Sequence, residues 1–158
     1  MELFVCDLIL VRGKGLISDA IECVEQSPYS HTAGYVGPNE VMEAQGFEPT
    51  GYATLDKYRG MADVFRCNTA TPKQKAKILA YVHSQAGGHY DYLLLLWELI
   101  RYKLHILLPY KEPSRAKICS GLWAAAYRKA GIDLCPGIKY PSPADLANSR
   151  LLVKVGSI

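Results

Sequence analysis

The chain has 158 residues, of which 49% are hydrophobic and 21% are charged, and its formal net charge is +3. This length and composition predict a single folded domain over residues 1–158. The lysines and arginines are scattered, which argues against a nucleic-acid partner. The five cysteines are odd in number and include no Cys-x-x-Cys pair, which argues against a disulfide framework and a structural zinc site. No cofactor or metal is therefore expected.

The first residues carry neither a basic segment nor a small-residue cleavage site, so no signal peptide is predicted. The strongly apolar stretch 92–100 is too short for a bilayer and is interrupted by Glu98. We interpret it as a buried helix and expect no stable membrane insertion. Reduced thiols and the lack of a leader predict a cytoplasmic protein.

The first half of the chain predicts a hairpin that follows a strand and a helix. Residues 8–12 form a short apolar run typical of a buried strand, and Ser18 is a suitable N-cap for a helix that extends towards Gln26. Residues 32–36 and 40–44 are two further apolar runs. The sequence Gly-Pro-Asn between them favours a turn, so we expect the two strands to pair.

The second half predicts mainly helices. Thr71 and Pro72 are typical of a helix start, and Gly87 and Gly88 end the helix. The other predicted elements in chain order are a loop over 46–52, a helical turn over 54–58, a strand over 62–66, a helix over 93–104, a helix over 119–130 that ends at Gly131, a turn over 144–147 and a strand over 151–155.

Cys119 is the strongest candidate for a catalytic residue because it stands where the helix 119–130 is predicted to begin. A thiol is a good nucleophile only as a thiolate, and a helix N-terminus and a neighbouring imidazole both favour the thiolate. The alternative interpretation is a small core residue on an alanine-rich helix. Cys6, Cys23, Cys67 and Cys135 lack such a context and are interpreted as structural or surface thiols.

His31 and Glu43 are the candidate partners of Cys119. His31 stands at the start of one predicted hairpin strand and Glu43 lies on the other, so pairing of the strands would bring them close. His31 would act as the base, and Glu43 would orient the imidazole and stabilise its protonated form. The alternative for His31 is a hydrogen-bonded structural histidine.

The other polar candidates are weaker. His83 and His105 fall in or beside predicted helices and are interpreted as structural. His89 follows the Gly-Gly break and is placed to line a cleft, whereas Asp91 is better interpreted as a helix cap. Ser120 precedes a glycine but does not form a Gly-x-Ser-x-Gly motif.

At these residues the sequence resembles the circularly permuted branch of the NlpC-type papain-like superfamily, near the YiiX/YebB-like hydrolases. The similarity is most specific around His31 and around Cys119, where Gly121 stands in place of a residue that is often acidic in the family. The matching segments are 7–13, 27–37, 41–44, 90–92, 118–122 and 143–146.

The resemblance implies an α+β fold of the permuted papain-like type, in which a small antiparallel sheet packs against helices. It also implies a thiol hydrolase, an amidase or peptidase, that uses Cys119, His31 and Glu43. The reaction would pass through a thioester acyl-enzyme. The substrate would be a peptide-like or acyl-amide molecule, with cell-wall peptides among the options that the family offers.

Two other functions remain open from the sequence. An acyltransferase or thioesterase acting on lipid-like acyl groups would use the same triad, and some relatives with this fold move fatty acyl groups. A non-catalytic binding module would retain the fold without a reactive thiol. Cys119 reactivity separates the enzymes from the binding module, and product analysis with added acceptors separates hydrolysis from transfer.

Overall fold

The computed structural model of the chain describes residues 1–13, 27–44, 49–87 and 119–158. The helices predicted over 18–26 and 93–104 lie outside these ranges, as do Cys23, His89, Asp91 and His105. The described strands are β1 (Leu8–Arg12), β2 (Tyr29–Gly37), β3 (Glu40–Glu43), β4 (Gly51–Thr54), β5 (Ala62–Arg66) and β6 (Val153–Ser157). The described helices are α1 (Pro72–Ser84), α2 (Cys119–Lys129) and α3 (Pro143–Ala147), with a 3₁₀ helix, Leu55–Tyr58, between β4 and β5.

The six strands form one sheet in the order β4-β3-β2-β1-β5-β6, and every neighbouring pair is antiparallel. Helix α2 packs against both β2 and α1, and α3 also packs against β2. The predicted α+β class, with an antiparallel sheet against helices, is confirmed. The predicted hairpin is also confirmed, since β2 pairs with β3 and Asn39 in the turn adopts a left-handed backbone with φ of 57°.

Two predictions for the strands were wrong in part. The loop predicted over 46–52 includes the start of β4, a half-exposed strand at the sheet edge that pairs with β3. The last strand lies two residues later than the predicted 151–155, at Val153–Ser157, and pairs with β5. Both are edge strands, and their exposed side chains do not show the apolar alternation that marks a buried strand.

The helix boundaries follow from local capping. Thr71 and Gln74 form a capping box at the start of α1, with Pro72 in the first turn as predicted. Gly131 follows α2 with φ of 83°, a left-handed conformation that glycine adopts without strain. None of the helices within the described ranges has the length and apolar character needed to cross a membrane.

The sheet buries a different cluster on each face. The helical face packs Leu8, Leu10 and Met42 against Trp123 and Tyr127 of α2. The opposite face packs another set of buried residues, which are Ile9, Val11, Ala33, Val41, Leu55, Tyr58, Ala62 and Val64. The four inner strands, β1, β2, β3 and β5, contribute buried residues to both clusters, because successive side chains of a strand point to opposite faces. The 3₁₀ helix therefore lies on the face opposite α2.

Four strands converge on one buried carboxylate at one end of the sheet. Asp63 is 1% exposed and accepts hydrogen bonds from Arg12 at 2.9 Å, Tyr29 at 2.6 Å, Lys154 at 2.8 Å and Ser157 at 2.6 Å. Burial alone would raise the pKa of Asp63, but these donors hold it below its usual range. Asp63 therefore remains ionised and ties β1, β2 and β6 to β5.

Gly34 on β2 is required for the contact between the sheet and α2. A Cβ at this position would lie 2.1 Å from the indole ring of Trp123, which is fully buried and donates to the Met42 carbonyl at 3.0 Å. We expect Gly34→Ala to lower the free energy of unfolding by about 1–3 kcal/mol, because the indole has no space into which to move. Urea denaturation measures this change.

Gly37→Ala on the same strand is the matched control for Gly34→Ala. Among the described residues, no atom would lie within 4 Å of a Cβ at position 37. The control is expected to change the unfolding free energy by less than about 1 kcal/mol. Equal unfolding free energies for Gly34→Ala and the unchanged protein would contradict the close approach of Trp123 to Gly34.

Candidate active site

The hairpin of β2 and β3 brings His31 and Glu43 into contact. Ala33 stands directly opposite Glu43, and His31 lies two residues before Ala33, hence on the same face of the sheet. His31 Nε2 lies 2.8 Å from Glu43 Oε2. Both side chains are largely buried, with 17% of His31 and 6% of Glu43 exposed. The predicted hairpin therefore places Nε2 of the imidazole against Glu43 and leaves Nδ1 for another partner.

Cys119, the first described residue of α2, meets this imidazole. Its sulfur forms a hydrogen bond with the His31 side chain, and the backbone N–H groups of Thr32 and Ser120 also donate to it. The residue is 6% exposed. The structure thus brings all three sequence-predicted residues together, with His31 between Cys119 and Glu43.

The electrostatics of the pair favour charge separation. Burial raises the pKa of the Cys119 thiol, but the His31 imidazolium and the hydrogen bonds to the sulfur outweigh burial and lower it. Burial alone would lower the pKa of His31, but the Cys119 sulfur and the Glu43 carboxylate together raise it to about 9. Each group therefore favours the charged form of the other, which is a thiolate beside an imidazolium.

Two residues that the sequence did not single out also hold Glu43. Lys57 Nζ lies 2.9 Å from Glu43 Oε1, and the Tyr58 hydroxyl donates to Glu43 Oε2. Burial would raise the pKa of Glu43, but the bonds from His31, Tyr58 and Lys57 lower it to about 2. The carboxylate is thus ionised at every pH at which the imidazolium needs a counter-charge.

The hydroxyl of Ser120, next to Cys119 in the chain, is not hydrogen-bonded to a base among the described residues. Ser120 is fully buried, and its Oγ has no hydrogen-bond partner among the described parts of the chain. A serine needs an adjacent base to become nucleophilic. The imidazole of His31 is hydrogen-bonded to the neighbouring Cys119 instead.

The other described cysteines, which the sequence predicted as structural or surface thiols, are free and buried. Burial raises the pKa of Cys6 to about 12 and that of Cys135 to about 11. These two thiols therefore stay protonated at neutral pH and react slowly. His83, the other described histidine, bonds through Nδ1 to the Tyr52 hydroxyl at 2.6 Å on the protein surface.

Within the four described ranges, no three His, Cys, Asp or Glu side chains are grouped in a way that could hold a metal ion. The triad itself is already saturated: His31 is bonded to Cys119 and Glu43, and both oxygens of Glu43 accept hydrogen bonds. The nitrogen and oxygen atoms of these side chains that could bind a metal are thus used in contacts with one another and with the 3₁₀ helix.

Comparison with known proteins identifies a fold but no sequence family. No protein-family model matches the chain, and no curated protein sequence matches it. A solved structure, that of the metalloprotein YiiX from Escherichia coli O157:H7, DUF1105, superposes with a TM-score of 0.74. It is 19% identical in sequence, and the superposition covers 98% of this chain and 97% of that one. The chain therefore has a YiiX-like fold.

Proposed function

We propose that the protein is a thiol hydrolase, an amidase or peptidase, of the circularly permuted NlpC-type papain-like class. The observation that supports this most directly is the chain of contacts from the Cys119 sulfur through His31 to Glu43. In the permuted arrangement the base and its orienting residue precede the nucleophile along the chain, as they do here. The chemistry depends on the geometry and not on that order.

The first half of the reaction forms an acyl-enzyme. The Cys119 thiolate attacks the carbonyl carbon of an amide, and the oxygen takes the negative charge of a tetrahedral intermediate. The Cys119 N–H is our candidate donor to this oxygen. The intermediate collapses as the C–N bond breaks, and the His31 imidazolium gives its proton to the leaving amine. The products of this step are a free amine and a thioester on Cys119.

The second half returns the enzyme to its starting state. Neutral His31 takes a proton from water, and the resulting hydroxide attacks the thioester carbonyl. The C–S bond then breaks, which releases the carboxylic acid and restores the thiolate beside the imidazolium. Glu43 remains ionised throughout and stabilises each imidazolium that forms.

The metal that the description of YiiX implies for that protein does not fit the described residues of this chain. No suitable group of ligands is present among them, and the nitrogen and oxygen atoms of the triad are already bonded to one another. We therefore derive no step through a metal.

Acyl transfer by the same triad is the second candidate. With only 6% of Cys119 exposed, a thioester at this position would be shielded from bulk water. A bound amine or alcohol would then compete well with water for the acyl group.

Trapping of the acyl-enzyme tests the proposal. We expect a panel of peptidyl and fatty-acyl anilides and thioesters to leave an acyl group on the Cys119 peptide, as detected by mass spectrometry. Cys119→Ala should form no adduct, and Cys67→Ala, which removes another buried free thiol, should form it normally. Added amine distinguishes hydrolysis from acyl transfer, because a transferase then yields more amide product than acid. No adduct with any acyl probe would favour the binding module.

A further inference from the structure

The 3₁₀ helix Leu55–Tyr58 places two consecutive donors on the Glu43 carboxylate. Tyr58 is 3% exposed and bonds to Oε2, the same oxygen that His31 contacts. Lys57 Nζ donates a hydrogen bond to Oε1 and lies 5.3 Å from the centre of the Tyr58 ring. Both carboxylate oxygens therefore accept a hydrogen bond from the 3₁₀ helix, and Oε2 is shared with the imidazole.

A buried carboxylate needs such donors to remain both charged and fixed in orientation. Burial raises the pKa of Glu43, the hydrogen bond and charge of His31 lower it most, and the bonds from Tyr58 and Lys57 lower it further. Loss of either donor therefore destabilises the charged form of Glu43, which is the counter-charge that the imidazolium faces. Among the described residues, the charged groups that face Glu43 are His31 from β2 and Lys57 from the 3₁₀ helix, and Tyr58 adds a neutral donor. Cys119 from α2 interacts with His31, which in turn interacts with Glu43.

Tyr58 also lies close to the reactive pair. Its ring centre is 6.0 Å from that of His31, and the negative charge on Cys119 helps to raise the pKa of its hydroxyl, after the larger effects of burial and Glu43. The phenol therefore stays protonated at all relevant pH values and remains a donor. A residue in this place can affect the thiolate through Glu43 without touching a substrate.

We propose that Tyr58 and Lys57 are positioning residues that hold Glu43 against His31, and that they thereby set the lowest pH at which Cys119 is a reactive thiolate. The relevance of this role to catalysis rests on the proposed function. The effect on the ionisation of Cys119 and His31 does not, and it can be tested without any substrate.

The test is the pH dependence of Cys119 alkylation by iodoacetamide in Tyr58→Phe and Lys57→Met. Each substitution removes a donor that stabilises the Glu43 carboxylate. We therefore expect the acidic limb of the profile to move upward by about one pH unit in each variant, and further in the double variant. Lys57→Arg keeps the positive charge, so its alkylation profile should match that of the unsubstituted protein.

Tyr29→Phe is the matched control for Tyr58→Phe. It removes another buried tyrosine hydroxyl that donates to a carboxylate, Asp63, at 2.6 Å. A purely structural role for Tyr58 predicts that both variants lose stability and that neither moves the acidic limb. The proposed role predicts a shifted limb in Tyr58→Phe alone, with thermal melting used to confirm that both variants are folded.

An unmoved acidic limb in folded Tyr58→Phe and Lys57→Met would overturn the proposal. Should these variants not fold, carbon-13 NMR of the Glu43 carboxyl in His31→Ala decides the question, because Tyr58 and Lys57 are then the remaining donors among the described residues. Titration at or above the ordinary glutamate pKa of about 4.3 would overturn the proposal, and titration below it would support it. Failure to find amide hydrolysis bears on the proposed function and leaves these measurements unaffected.

Discussion

Replacement of His31 by alanine is expected to slow alkylation of Cys119 about tenfold or more at about pH 5. A thiol with the ordinary pKa of about 8.5 is only about 0.03% thiolate at that pH, and the His31 imidazolium lowers the pKa of Cys119. Each pH unit by which the pKa falls raises the thiolate fraction about tenfold until the thiol is mostly ionised. The lower intrinsic nucleophilicity of a low-pKa thiolate cancels about half of that gain on a logarithmic scale.

The measurement is the rate of iodoacetamide addition to the Cys119 peptide, followed by mass spectrometry so that the other cysteines do not contribute. His83→Ala is the control, because His83 bonds to Tyr52 on the surface and has no part in the thiol–imidazole contact. Equal rates in His31→Ala and His83→Ala would mean that His31 does not activate the thiol.

The part of the site that local sequence determines could be predicted. The Gly-Pro-Asn sequence between two apolar runs predicted the β2–β3 hairpin, and that hairpin is what sets His31 beside Glu43. The position of Cys119 on a helix was likewise predicted from the alanine-rich run that ends at Gly131. Strand pairing and helix propensity are short-range effects, so a single sequence records them well.

The contacts that hold Glu43 in place could not be predicted from local sequence. The helical turn at 54–58 was predicted, but no local signal indicates that it folds back so that Lys57 and Tyr58 reach Glu43, 14 and 15 residues earlier. Asp63 is a comparable case, because its donors include Arg12 and Lys154, from distant parts of the chain. Contacts of this kind depend on the packing of the whole sheet and leave no periodic pattern.

The pKa values of the pair define a window of reactivity. Below the lowered pKa of Cys119 the sulfur is a thiol, and above about 9 the imidazole loses its proton and the thiolate loses its partner. The ion pair therefore exists between these limits. Activity that depends on it should rise as Cys119 ionises and fall as His31 becomes neutral.

The central claim, a thiolate at Cys119 in the native protein, is tested most directly by the ultraviolet absorbance of the thiolate as a function of pH. The signal of Cys119→Ala is subtracted at each pH, so that only Cys119 contributes to the difference. We predict a midpoint below about 8.5, the ordinary value for cysteine, because His31 and the two N–H donors stabilise the charged sulfur. A midpoint at or above about 8.5 would contradict the ion pair and, with it, the proposed hydrolase.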